Sequence, residues 1–456
     1  MPDPDLVVTG NIVLDDRILI DGFIAIRNGL IEQVGEGSAP MAKTTENYSG
    51  GYVLPGAIDG QVHSLSQHGQ EGFEWSSRSA AAGGVTTIVD MPYDDGHLIC
   101  TGERLRAKAE RASERSRVDF ALYGTVRPKD GPMFIEEMVN AGAAAFKFST
   151  FATDEVRFPR IPPQTLYECF SEIARFDLIA GVHNENDEVI RFYLDDVRNS
   201  GQTDYLSHGL SRPAISELLA TAEVYEIGAA TGCPAHIVHC SLPRGYEMAA
   251  SYRKQEYSAT IEACIHYLML CEEEDVCRLG GIAKVNPPIR SKSDRENIWR
   301  HLEAGNVTIV STDHVSWSLD RKNQNNMLDN ASGVPGLEVL VPLLATGLKE
   351  RDLSLTWVAR LLASNPAKLF RIDHRKGSFQ PGLDADITIL VEDRHEYNPS
   401  ASGNNVVDWS PYSGRELEYR TEATYLRGKL VGRQGVVLAE PGEGQWIKPD
   451  LNRIQA

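Results

Sequence analysis

The sequence predicts an α/β chain: a (β/α)8, TIM-like barrel flanked by a small β-sandwich domain built from both termini. Three observations carry this reading. Between residues 54 and 366, short apolar runs alternate with segments of helical period, the signature of a parallel sheet covered by helices. Six or more such units over about 300 residues suit a closed barrel better than an open sheet. Before and after that stretch the texture is instead strand and turn.

In chain order, "LVVTGNIVL", "GFIAIRNGLIEQVG" and "YSGGYVLPG" read as strands divided by Gly, Asn and Asp turns. From residue 54 onward the buried strands are expected in "TTIVDM", "DFALYGTV", "AAAFKFST", "LIAGVHNE", "PAHIVHCS" and "NVTIVSTDH". Helices are expected in "SSRSAAAGG", "ERLRAKAERASE", "PQTLYECFSEIARF" and "AISELLATAEVYEIGAATG". After "ASNPAKLF" the strands return in "KGSFQPGLDADITILVED" and "TEATYLRGKLVGRQGVVL". Residues 1–53 and 367–441 thus form the expected β domain, 54–366 the barrel, and 442–456 a wrapping C-terminal extension.

Composition narrows the function. A chain of 456 residues, 42% hydrophobic and 24% charged, has the make-up of a globular protein, too long for a bare binding module. Its formal net charge of −19 opposes binding to nucleic acid or to an anionic membrane. Met1 is followed by Pro-Asp-Pro-Asp, with no basic start or apolar core of a signal peptide, and no apolar run approaches the ~20 residues of a membrane span. Seven scattered cysteines argue against a disulfide framework, and Cys271 and Cys277 read as structural thiols. A reducing cytoplasm is the expected location.

The chemistry lies in where the histidines fall. His63, His183, His239 and the pair Asp313-His314 each sit at or just past the end of an expected strand. In a barrel those ends converge on one face, where active sites are built. Lys147 joins them from within "AAFKFST", where a buried ammonium must be paired, neutralised or modified. Imidazole suits zinc and its neighbours, and a carboxylate completes the ligand set or carries protons. Taken singly, Lys147 could be salt-bridged and Asp313 could cap a turn. His236 and His266 read as hydrogen-bonded core residues, and His68, His97, His208, His301, His374 and His395 as solvated.

Together these segments resemble the cyclic amidohydrolases, the family of hydantoinase, dihydropyrimidinase, allantoinase and dihydroorotase, over nearly the whole chain. The likeness rests on "VLPGAIDGQVH", "AAAGGVTTIVDMP", "FKFST", "GVHNEN", "HIVHCS", "KVNPPIR", "STDH", "SGVPGLE" and "SNPAKLF". "SPYSG" and "TIEACIHYL" tilt it towards allantoinase. The resemblance implies hydrolysis of a cyclic amide by a metal-activated water, with Asp313 as general base and then acid. It implies one or two divalent ions per chain, zinc foremost and manganese, cobalt or iron as alternatives. Carbon dioxide would be held as a carbamate on Lys147 between the ions. His183 and His239 would hold the inner ion, and His63 and Asp313 the outer one. Asn286, Ser332 and Gly333 would meet the substrate, and a homodimer or homotetramer is implied.

The chain departs from that pattern in three places. Gln61 stands where a second imidazole is expected two residues before His63, so it is a weak ligand or none. Leu65 replaces the arginine with which dihydroorotase-like members bind a substrate carboxylate, and Ala152 replaces the tyrosine with which hydantoinases stabilise the oxyanion. A hydrolase of open-chain amides or carbamates on the same scaffold, and a catalytically silent scaffold protein, are the alternatives.

Overall fold

The computed structural model describes residues 3–66 and 72–452. Eight parallel strands form the barrel. They are β5 (Ala57–Val62), β6 (Val85–Asp90), β7 (Asp119–Gly124), β8 (Ala145–Ser149), β9 (Ile179–His183), β10 (Ala235–Ile237), β11 (Ala259–Cys264) and β12 (Ile309–Ser311). Neighbours in sequence are neighbours in the sheet from β5 to β12. A parallel bridge from Val62 to His314 returns the last strand to the first and closes the ring. Almost every residue of β5 to β12 is buried, because the inside is filled by side chains and the outside is covered by helices.

The expected helices form at Gly72–Gly83, Gly102–Arg115, Pro163–Ala174 and Ala214–Thr231. Two more, Asp187–Ser200 and Leu206–Ser211, are inserted after β9. They matter below, because their side chains wall the cavity at the strand ends. Asn186 starts the first of them, its side chain accepting from the Val189 N–H.

The second sheet is mixed and draws on both ends of the chain. β1 (Leu6–Val13), β2 (Ile18–Arg27), β3 (Leu30–Glu36) and β4 (Thr44–Pro55) join β13 (Ile387–Glu396), β14 (Glu416–Leu426), β15 (Lys429–Arg433) and β16 (Val436–Val437). The order is β16-β15-β14-β13-β4-β1-β2-β3, with only β1 and β4 parallel. Ile31 beside one edge and Tyr425 towards the other share one apolar core with Ile24, Val53 and Ile389, so the sheet curls over its own face.

A buried ionic hub ties the two sheets together. Lys376 Nζ bonds Asp119, the first residue of β7, together with Asp384 and Asp386 on the approach to β13. Arg427, in the β14–β15 turn, pairs with Asp119 as well. Residues 445–447 run beside β7, with Phe120 N–H donated to Gln445 O and Ile447 N–H to Phe120 O. All seven cysteines are free; Cys271 is buried, whereas Cys277 is exposed with its thiol donated to Glu273 O. No helix among the described residues is long and apolar enough to cross a membrane.

Candidate active site

The strand ends of the barrel bring the sequence-predicted set into one cavity of about 580 Å³, lined by Gln61, His63, Lys147, His183, His239 and Asp313. Asn286, Ser332 and Gly333 line it too. The set divides into two halves.

In the first half, His183 ends β9 and His239 follows β10. Their Nδ1 and Nε2 atoms lie 3.0 Å apart, the spacing of two imidazoles turned towards one ion rather than towards the core. The opposite nitrogen of His183, Nε2, lies 2.8 Å from Glu185 Oε2. Arg212 pairs with the same carboxylate oxygen. Burial alone would push the Glu185 carboxyl up, but Arg212 and His183 outweigh it and hold it at about 2. A fixed carboxylate requires a proton on Nε2 and leaves a lone pair on Nδ1, which faces His239. Burial lowers both histidines, so both are neutral donors near neutral pH. His239 adopts a left-handed backbone (φ 39°), strain of the kind that clusters at functional sites. Its N–H is donated to Glu262 Oε1 at 3.1 Å, and its side-chain Nδ1 is buried without a partner.

In the second half, Asp313 follows β12, again with a positive φ of 51°. Its Oδ1 accepts from Gln61 Nε2 at 2.8 Å and lies 3.2 Å from His63 Nε2. Asp59 holds this half together: Oδ1 accepts from the Gln61 and Thr312 N–H groups, each at 3.1 Å, and Oδ2 from the Thr312 hydroxyl. One carboxylate thus stitches the first barrel strand to the last and fixes Gln61 and His63 against Asp313. Burial works against the Asp313 charge, but His63, His266 and Lys147 keep its carboxyl below the ordinary value. Gln61 Oε1 is buried and has no hydrogen-bond partner among the described residues.

Lys147 lies between the halves, within electrostatic reach of His183, His239 and Asp313. Its side chain is 1% exposed, and its ammonium has no hydrogen bond or ion pair among the described residues. Burial lowers its pKa to about 8, so a neutral amine is accessible near physiological pH. Among the described residues, tight trios of His, Cys and carboxylate donors occur only elsewhere, at Cys271–Glu274–Asp275 and Asp119–Asp384–Asp386. The second of these already holds the Lys376 ammonium. Neither half of the cavity alone makes such a trio among the described residues, so holding an ion there requires a further donor. The donor set fits a metal on that condition.

The three residues expected to meet the substrate line the cavity and are bonded within its walls. Ser332 donates its hydroxyl to Asn286 Oδ1 at 3.0 Å. Gly333 offers no free backbone group: its N–H is donated to Lys284 O at 2.9 Å, and its carbonyl accepts from Lys322 Nζ. Its φ of 121° and the close approach of Val315 make it a bend that only glycine fits.

Several histidines behave differently from expectation. His208 is not solvated: it is buried on the inserted helix Leu206–Ser211, lies 2.8 Å from Val285 O, and lines the cavity. His301 is half-buried and stacked on Tyr246. His266 is buried in the core, edge-on to Tyr267 and beside the Thr312 backbone. His236 does bond, to Thr260 Oγ1 at 2.9 Å. His314 is held within its loop by the Gly336 N–H and Ser316 Oγ. His97 and His374 are exposed and His395 half-exposed; His68 lies outside the described residues. Glu185, Arg212, Glu262 and Asp59 were not singled out from sequence, though "GVHNEN" and "GAIDGQVH" contain two of them.

The chain is similar to known proteins over nearly its whole length. The amidohydrolase family model matches residues 52–430. An allantoinase of Rubrobacter xylanophilus is 34% identical, with 98% of each chain covered. An L-hydantoinase of Paenarthrobacter aurescens is 29% identical over 97% of this chain and 98% of its own. Among solved structures, the L-hydantoinase (dihydropyrimidinase) from Arthrobacter aurescens superposes with a TM-score of 0.93 at 30% identity, covering 97% of this chain and 99% of that one. The chain belongs to the amidohydrolase family, on the branch of the allantoinases and hydantoinases.

Proposed function

We propose that the chain hydrolyses a C–N bond of a cyclic amide (a ureide, hydantoin, imide or lactam), with an allantoinase-like ring ureide foremost. The observation that carries this is the converging pair of neutral imidazoles, His183 and His239, beside an unpaired buried lysine. Homology to allantoinases and hydantoinases supports the same reading.

The metal would be divalent, zinc foremost. His183 and His239 would hold one ion, and His63 with Asp313 a second, with Gln61 Oε1 as a weak ligand or none. A bound ion supplies the acidity that brings a water to hydroxide near neutral pH and polarises the amide carbonyl. Lys147 would supply the further donor as a carbamate, its neutral amine adding to carbon dioxide with loss of a proton. A costly buried cation thereby becomes an anion with two oxygen donors.

Asp313 takes the proton of the attacking water and returns it to the leaving ring nitrogen, first as base and then as acid. Gln61 Nε2 aims the carboxylate by holding one of its oxygens. Glu185 keeps His183 in the tautomer whose lone pair faces the cavity. Asn286 and Ser332 present polar groups to the far edge of the ring. The products are the opened chain and its new carboxylate.

A panel containing allantoin, hydantoin, dihydrouracil and an N-carbamoyl open-chain amide tests the reading. Turnover is expected on ring substrates, allantoin foremost. Hydrolysis of the open-chain amide alone would replace it with the second reading of the scaffold.

A further inference from the structure

Residues 397–415 join β13 to β14 of the terminal sheet, yet their apolar side chains belong to the barrel. Tyr397, Val407, Trp409 and Tyr412 are buried in one cluster with Leu268 and Leu337 of the barrel, apart from the core of the sheet. The crossing is fastened at Glu338, beyond the loop that follows β12. Glu338 Oε1 accepts from Asn404 Nδ2 at 2.9 Å, and Oε2 from the Tyr397 and Ser402 hydroxyls and Asn405 Nδ2. The chain then turns back within "SPYSG". Ser413 N–H is donated to Ser410 O at 3.2 Å, with Pro411 at the second place of the turn, which its fixed φ suits. The motif is thus a turn that holds the preceding residue, Trp409, against the barrel.

Trp409 is buried and meets the loop after β12 twice. Its indole N–H is donated to Trp317 O at 2.9 Å, and Lys322 Nζ lies 5.6 Å from the centre of its ring. Lys322 Nζ in turn donates to the carbonyls of Ala331 and Gly333. From Trp317 the hydrogen bonds continue inward. The Trp317 indole N–H is donated to Ser332 O at 2.8 Å, and the Ser332 hydroxyl to Asn286 Oδ1 at 3.0 Å. Trp317, Ser332 and Asn286 line the cavity, and Trp409 stands behind Trp317. Each bond in the series removes freedom from the next group, so the outermost one bears on where the innermost sits.

We propose that Trp409 is a positioning residue for substrate recognition: acting through Trp317, it sets where Ser332 and Asn286 meet the ring. This rests on the cyclic-amide reading, in which those two residues present polar groups to the ring's far edge. The connection between two strands of the terminal sheet thereby takes part in binding without touching the substrate. The series of bonds bypasses Asp313 and the histidines, so its loss falls on KM rather than on kcat.

Trp409→Phe keeps an aromatic ring against Lys322 and removes the indole N–H. With the holoenzyme and the best ring substrate of the panel above, KM should rise about fivefold, the scale of one lost hydrogen bond, with kcat within about twofold. In a Trp317→Phe background the same change should add less than about twofold, because both break one series of bonds. Ser402→Ala, which loosens the crossing at Glu338 alone, should leave KM unchanged. Hydrogen exchange read by mass spectrometry should be faster at residues 315–333 in Trp409→Phe, with β5 to β12 as protected as in the parent. An unchanged KM in Trp409→Phe, effects that multiply in the double variant, or an equal rise in Ser402→Ala would overturn the proposal. If no ring amide is hydrolysed by the parent, the hydrolase reading falls and exchange alone decides: unaltered exchange at 315–333 would overturn the positioning role.

Discussion

Gln61 occupies a position where an imidazole would serve as a metal ligand, and it works through its amide nitrogen instead. It shares Asp313 Oδ1 with His63, so its effect falls on the proposed base as much as on an ion. Gln61→His should raise the metal content towards two ions per chain, as counted by elemental analysis; one ion in both forms would establish a mononuclear site. Asp313→Asn should retain much of the metal held by His183 and His239, yet lose at least ~10²–10⁴ in turnover. Near-normal rates would move the proton transfer to another group. Glu185 gives a pH-dependent prediction. Its folded pKa of about 2 lies below the ordinary 4.5, so its contribution to stability is full above about pH 4.5 and is lost as pH falls through about 2. Glu185→Gln strands the buried Arg212 and should cost about 3–5 kcal/mol in chemical denaturation while flattening that acid limb. The histidines and Lys147 were legible in sequence because their types are costly at apolar strand ends. Glu185 and Arg212 were not, since their pairing spans 27 positions and neither has an unusual local context.

At the scale of elements, the loop after β12 is shaped by two lysines that have no carboxylate partner among the described residues. Lys322 Nζ is buried and donates to the carbonyls of Lys284, Ala331 and Gly333, while Lys284 Nζ donates to those of Leu328 and Asn330. Burial lowers Lys284 to about 7 and Lys322 well below its usual value. Lys322→Met takes the Lys322 donor from the carbonyls of Ala331 and Gly333, at about 1–3 kcal/mol each, while Lys284 O keeps the Gly333 N–H. It should raise KM for a cyclic amide by about tenfold or more, with a smaller effect on kcat; unchanged KM would separate this loop from substrate binding. The barrel strands were legible as apolar runs at regular spacing. The inserted helices Asp187–Ser200 and Leu206–Ser211 were not expected: the first buries only Asp187, Ile190 and Val197, and the second has six residues. His208 was misread because its surroundings are polar in sequence, but the fold turns them inward.

In the whole molecule, the Lys376 hub joins the β7 end of the barrel to the terminal sheet, so the two are expected to unfold together. Lys376→Met would leave Asp119, Asp384 and Asp386 facing one another, with Arg427 on Asp119 and Arg375 on Asp384 as the remaining cations. It should destabilise by about 3–5 kcal/mol and separate one thermal transition into two; a single unshifted transition would show that the hub contributes nothing. The hub was invisible in sequence because its five acids and bases are scattered from residue 119 to 427. The two-sheet plan was visible, because the strand texture at the termini differs from the alternation between them. Metal-assisted hydrolysis through a carbamate on Lys147 is most directly tested by turnover of chelator-stripped protein on allantoin, titrated with zinc with and without bicarbonate. Activity should vanish on stripping and return fully only when zinc and bicarbonate are both supplied. Full turnover by the metal-free chain would contradict it.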